Sequence, residues 1–97
     1  MTKYSLSAEA GQDIERIFEF GLDCFGYEQA SHYLDGLETH LNLLAQHPNH
    51  YPAIRHIREG YRRSVYGVHA VYYSELDDGV LIVRIMGRQD FVEALNV

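Results

Sequence analysis

The 97-residue chain has a single cysteine and no tryptophan, and its enzyme signatures are as sparse as these two residues. Cys24 alone excludes an internal disulfide and removes the thiol pairs that structural zinc sites usually use. Its place in a helical pattern predicts a small, buried, unreactive side chain. No stretch approaches the ~20 apolar residues of a membrane span. The N-terminal MTKYSLSAEAGQD has neither the apolar run nor the small-residue cleavage site of a signal peptide. A cytoplasmic protein without membrane contact is expected. Repeats and low-complexity tracts are missing, as are a Gly-rich phosphate loop, a zinc-protease helix motif and a serine elbow.

What is present describes one small folding unit. The length suits a single domain spanning 1–97, and 46% hydrophobic with 23% charged residues is an ordinary globular balance. The net charge of −6 argues against coating nucleic acid through phosphate contacts. Its distribution is uneven: residues 1–50 hold two basic and eight acidic side chains, and residues 51–97 hold six of each. Arg55, Arg58, Arg62 and Arg63 fall within nine positions interrupted only by Glu59, which predicts an acidic end and a local basic patch.

Hydrophobic periodicity orders the elements. Tyr4 and Leu6 alternate with polar neighbours over a short first strand (4–6), and Ser7 stands at a helix N-cap position with Glu9 in the first turn. Ala10, Ile14, Ile17, Phe18, Leu22 and Phe25 make one apolar stripe, with Asp13, Glu15, Arg16, Glu19 and Asp23 turned outward. Gly26 ends that helix. A second stripe of Ala30, Tyr33, Leu34, Leu37, Leu41, Leu44 and Ala45 runs to His47, where Pro48 blocks continuation, so 7–47 reads as an antiparallel helical hairpin. After the turn-rich HPNHYP the period becomes twofold. Residues 54–58 and 61–66 read as one strand, or as two with a bend at Gly60, followed by strands 68–76 and 80–86. Asp77-Asp78-Gly79 signals a hairpin in which Gly79 supplies a positive φ. The order β-α-α-β-β-β predicts an α+β fold, a helical hairpin packed on a three- to four-stranded antiparallel sheet, with a tail at 87–97 whose Phe91, Val92 and Leu95 offer an apolar side.

Among the six histidines, His47 and His50 flank Pro48, and His32 and His40 lie eight apart on the second helix. Neither pair brings a carboxylate at ligating spacing, so no metal and no cofactor is expected. The arginines point to a partner carrying phosphates or carboxylates. One such partner is RNA, with Arg62 and Arg84 converging on a phosphate; the other is an acidic protein segment crossing the sheet. In strand 68–76, His69, Val71 and Tyr73 share one face and Val68, Ala70 and Tyr72 the other, so one of the adjacent tyrosines belongs to the core.

The runs YSLSAEAGQDIERIFEFGLDCFGYEQASHYLDGLETHLNLLAQHP and IRHIREGYRRSVYGVHAVYYSELDDGVLIVRIMGRQD resemble the ParE toxins of bacterial toxin–antitoxin modules along nearly the whole chain. FGYEQASHY, REGYR, HAVYY and VRIMGRQD carry the likeness through their order and spacing. The resemblance implies the fold shared with RelE-type toxins, inhibition of DNA gyrase by protein binding, and neutralisation by a ParD-like antitoxin through which alone the complex meets operator DNA. It also allows a homodimer. RelE-type relatives are instead ribosome-dependent messenger-RNA endoribonucleases; in that case Arg62, Arg84 and His69 would be the catalytic set. Many relatives read R-I-L-H where this chain has Arg84-Ile85-Met86-Gly87, and Gly87 cannot move a proton. Protein binding is therefore favoured over cleavage, with an inactive antitoxin-binding homologue as a third reading. The expected antitoxin surface comprises Arg55, Arg58, Arg62, Tyr72, Arg84, Met86, Arg88 and Phe91.

Overall fold

The computed structural model describes residues 3–55 and 57–87, so Arg88, Phe91 and the rest of the expected tail lie outside the described residues. Strand β1 (Lys3–Leu6) leads into helices α1 (Ala8–Phe25) and α2 (Tyr27–Gln46), a short 3₁₀ turn (Pro48–His50), and strands β2 (Tyr61–Tyr66), β3 (His69–Leu76) and β4 (Gly79–Gly87). Ser7 caps α1 by accepting from the Ala10 amide at 3.0 Å, which satisfies one of the donors a helix leaves unpaired at its start. Gly26, at φ +89°, turns the chain between the helices.

The sheet order is β1-β4-β3-β2. β2, β3 and β4 are antiparallel as expected, while β1 joins the far edge parallel to β4, with Lys3 opposite Gly79 and Leu6 opposite Ile82. The sheet is therefore mixed, because the hairpin carries the chain back across one face before the later strands form. This pairing also explains Gly79. Positive φ occurs at Gly26, Gly60 and Gly67 and not at Gly79. A Cβ at Gly79 would strike the Lys3 carbonyl, so the glycine admits the parallel neighbour rather than shaping the turn.

The strand expected over 54–58 is replaced by turns, with the Ile57 and Arg58 amides both bonded to the Ile54 carbonyl at 2.9 and 3.0 Å. Ile54 is buried, and an isolated bridge pairs Ala53 with Arg62 of β2. Gly60, at φ +86°, then reverses the chain.

Both helices pack on one face of the sheet. Ala10 and Ile17 from α1, Leu37, Leu41, Leu44 and Ala45 from α2, Val71 and Tyr73 from β3, and Val80, Ile82 and Ile85 from β4 form the core. Each large aliphatic side chain removed from water here contributes about 1.5–3 kcal/mol. Tyr73 is the buried member of the tyrosine pair and gives its hydroxyl to the Pro48 carbonyl at 2.8 Å. Burial pushes that phenol up to about 12.

Four helix residues depart from the expected pattern. Leu22 and Phe25 belong to the α1 stripe by spacing, yet both are exposed. Cys24 is exposed as well. Eighteen residues make a helix about 27 Å long, and the described residues leave the stripe uncovered in its last turns. Asp13, expected outward, is 1% exposed.

Candidate functional site

The bare face of the sheet is organised in rows set by register. Arg63 on β2 lies opposite Tyr72 on β3, which lies opposite Arg84 on β4; the next row is Val65, Ala70 and Met86. No described helix covers this face, and a groove of about 530 Å³ runs over it, lined by Ile57, Arg63, Val65, Val68, Tyr72 and Met86 among others. Ile57, Val65 and Val68 are exposed, so the floor is apolar and open to solvent. The Arg63 guanidinium stands 5.9 Å from the Tyr72 ring and that of Arg58 5.4 Å from the Tyr61 ring. Stacking holds both cations at the rim while leaving their donors to solvent. Arg55 is exposed in the turn beside them.

The edge of β2 is half covered. Ile54 donates to the Tyr61 carbonyl at 2.9 Å, and the Arg63 amide donates to the Pro52 carbonyl at 3.2 Å. Alternation then turns the Arg63 carbonyl and the amide and carbonyl of Val65 outward, beyond the point where the Pro52–Ile54 segment ends. An apolar groove beside open backbone groups and stacked arginines is suited to an extended or helical peptide segment with carboxylates.

The remaining expected site residues are placed elsewhere. Arg62 has the opposite side-chain direction from Arg63, donating to Glu75 Oε1 at 3.0 Å and to the Tyr51 carbonyl at 2.6 Å. Arg84 leaves its row and wraps the β4 edge to Asp13. Its Nε donates to Oδ2 at 2.8 Å and its Nη2 to Oδ1 at 3.0 Å, while the Ile85 amide donates to Oδ2 at 2.9 Å and Arg16 to Oδ1 at 3.0 Å. Burial alone would raise the Asp13 pKa; the hydrogen bonds from Arg84 and Ile85, the Arg84 charge and the Arg16 bond outweigh it and leave the carboxyl below its ordinary value. This clamp forms where β1 ends. Ser7 takes over from the strand by bonding the Ile82 and Val83 carbonyls, and Asp13 then satisfies the Ile85 amide. A one-residue bulge at Val83, between the Tyr72–Arg84 and Tyr73–Ile82 pairs, re-aims Arg84 toward the helix.

His69 belongs to the helix-covered face. Its Nδ1 is 2.7 Å from the Tyr33 hydroxyl, which also reaches the Tyr66 carbonyl at 3.1 Å. Arg62 pairs with Tyr73 in register, four residues along β3 from His69, a separation of about 13 Å. Arg62, Arg84 and His69 therefore do not converge on one point.

The residues that the sequence reading passed over are Ile57, Val65 and Val68 as groove lining and Asp13 as the Arg84 partner. Alternation from Arg62 carries a signal for Arg63 and Val65, since both must face away from Ser64, which is buried. Asp13 stands three residues after Ala10 and four before Ile17, so the helical period itself places it on the buried side of α1, a signal outweighed in the sequence reading by its charge. Among the described residues there is no group of three or more side chains arranged to hold a metal, and no helix long and apolar enough to cross a membrane.

Residues 4–90 match the family model described as the ParE toxin of the type II toxin–antitoxin system parDE. A Toxin ParE1 from Caulobacter vibrioides is 33% identical over 86 residues, covering 89% of this chain and 88% of its own length. A Toxin ParE1 from Mycobacterium tuberculosis is 31% identical over 86 residues, covering 88% of each. A solved structure described as the chromosomal ParDE TA system from P. aeruginosa superposes with a TM-score of 0.75 over 90% of this chain and 96% of that one, at 17% identity, and shows the same fold.

Proposed function

The chain belongs to the ParE toxin family of type II toxin–antitoxin systems, and from that premise we propose that it acts by binding protein: it inhibits DNA gyrase without cutting nucleic acid, in the cytoplasm, and is silenced by a ParD-like antitoxin. The observation that carries the reading is the open sheet face. Its groove is largely apolar and lined by Arg63, with Arg58 stacked on Tyr61 of the same strand and Arg55 exposed in the segment that supplies Ile54 and Ile57 to the lining. Such a surface suits an acidic, partly apolar segment that orders on binding. Tyr72 and Met86 lie on its floor; Arg88 and Phe91, expected in the same surface, lie outside the described residues. Operator DNA is met through the antitoxin alone, a reading that the net charge of −6 supports.

Against ribonuclease chemistry stands the commitment of each candidate group. Arg62 holds Glu75 and Tyr51, Arg84 holds Asp13, and His69 Nδ1 holds Tyr33. General acid–base work needs a proton donor and a phosphate-binding cation within reach of the same substrate, an arrangement these three positions do not offer.

A supercoiling assay with purified gyrase tests the toxin reading. Inhibition at stoichiometric excess with intact messenger RNA in poisoned cells is expected, whereas full supercoiling activity at large excess would sink it. For the antitoxin, Arg58→Glu and Tyr72→Ala should each weaken the complex about tenfold, as loss of a buried anchor or rim charge does. Unchanged affinity in both would remove the antitoxin from this face.

A further inference from the structure

A second apolar surface lies on the helical side, at the tip of the hairpin. The last turns of α1 and the first of α2 leave Phe20 64%, Phe25 63% and Tyr27 69% exposed, with Leu22 beside them. Between them opens a groove of about 240 Å³ lined by Ile17, Phe20, Gly21, Phe25, Ala30 and Val68 among others. Gly21 forms part of its floor; a Cβ there would stand 3.1 Å from the Ala30 Cβ, so the glycine sets how closely the two helices approach. Two exposed phenylalanine rings, Phe20 and Phe25, line this cleft, while Tyr27 packs edge-on against Phe18 beside it; so much exposed aromatic surface in one place marks an interaction site.

The hairpin tip beyond Arg16 carries formal charge of one sign. Between Arg16 and Arg55 the chain has no lysine or arginine and five carboxylates, Glu19, Asp23, Glu28, Asp35 and Glu38, all of them exposed. Glu19 and Asp23 flank Phe20 and Leu22 on α1, and Glu28 adjoins Tyr27. Away from their ends the backbone groups of both helices are bonded within them, so no strand edge is open along the cleft. A cleft between two helices with apolar walls takes the apolar face of a third.

We propose that the hairpin tip docks a basic amphipathic helix of a protein partner, its apolar face in the cleft and its lysines and arginines over the Glu19, Asp23 and Glu28 carboxylates. Charge selects this occupant over the alternatives. A second copy would set two acidic rims against each other. Residues 88–97 of the chain carry Arg88 against Asp90 and Glu93, a net charge of −1, and so have no cationic face to offer. Anionic lipid is repelled for the same reason. The surface is distinct in sign and residues from the sheet groove, which it meets only at Val68 and His69, and the inference does not depend on the antitoxin or gyrase reading.

The test uses the full chain and two labelled 18-residue peptides of one helical hydrophobic pattern, a Leu/Lys and a Leu/Glu version, titrated by fluorescence anisotropy. The Leu/Lys peptide should bind at least about tenfold more tightly than its acidic twin. Phe20→Ser and Phe25→Ser should each weaken it about tenfold, with unchanged circular dichroism because both rings are exposed in the fold. The triple variant E19Q/D23N/E28Q should bind more weakly and lose much of the salt dependence, while Tyr72→Ala should bind as the parent does. Equal affinity for the two peptides, or binding indifferent to Phe20→Ser and Phe25→Ser, would overturn the proposal. So would a dimer in sedimentation that Phe20→Ser dissolves, which would make a second copy the occupant.

Discussion

The two helices are fastened to the sheet by different chemistry. Where α1 meets β4, a buried carboxylate takes hydrogen bonds from two arginines and one strand amide, and the contact is ionic. Where α2 faces β2, the contact is a seam of rings: Tyr33, His40, Tyr51, Tyr66 and His69 meet in tilted or edge-to-face pairs with centroids 5.2 to 5.9 Å apart, and His40 Nε2 lies 2.9 Å from the Ser64 hydroxyl. The strand position explains the contrast. β4 is left with an unpaired amide once β1 ends, and a carboxylate is the side chain that both accepts from it and recruits a cation. β2 leaves its inner face to be covered by one helix, and large rings span the distance. The ionic fastening depends on every partner being present, whereas the aromatic seam depends on fit.

Asp13→Ala should expose that difference most strongly. It leaves Arg84 and the Ile85 amide without their acceptor, and removal of one member of a buried charge network costs about 3–5 kcal/mol. Urea unfolding should show it, and a loss under about 1 kcal/mol would mean that the clamp is merely local. Acid should act on the same site. Asp13 titrates below its unfolded value, so its stabilisation is complete above about pH 4 and is lost as pH falls through the folded pKa.

The seam is tested by its fit. A Cβ on Gly36 would run into the Tyr66 hydroxyl, so Gly36→Ala should destabilise by about 2 kcal/mol. Tyr66→Phe should restore much of this in the double variant, because the atom in the way is removed. Additive losses in a double-mutant cycle would place the strain elsewhere.

A smaller effect belongs to His40. Burial holds its pKa below the ordinary histidine value. The folded state thus binds its proton less readily than the unfolded chain, and stability should be unaffected above about pH 6.5 and decline as pH falls from there toward the folded pKa. Thermal melts at pH 7.5 and 5.5 should differ more for the parent than for His40→Gln. The smallest loss is expected from Glu75→Gln, since its pair with Arg62 is partly exposed and such pairs contribute about 0–1 kcal/mol; a larger loss would show that Arg62 anchors the seam as firmly as Asp13 anchors the clamp.

Much of the architecture was legible because it rests on local rules. Ser7, Gly26 and Pro48 mark helix ends wherever they stand, and the α2 stripe from Ala30 to Ala45 named nearly all the residues that the helix buries. The assignment of Tyr72 and Tyr73 to opposite faces followed from strand alternation. Asp13, Arg62 and Gly79 were misjudged in direction or role for a common reason: each answers to a residue far along the chain, Ile85 for the first, Glu75 and Tyr51 for the second, Lys3 for the third. Cys24 and Phe25 failed differently. Their helical period was right, but what lies against the last turns of the helix is not written in the helix.

The basic cluster at Arg55 to Arg63, the acidic hairpin and the β-α-α-β-β-β order were determined by the sequence alone, since charge and periodicity are properties of neighbours in the chain. Which arginines face solvent, and which are consumed in holding the fold, was decided only by tertiary structure. The register across β2, β3 and β4 and the bulge at Val83 decide what each guanidinium can reach. That turns Arg63 outward over Tyr72 and commits Arg62 and Arg84 to carboxylates within the fold.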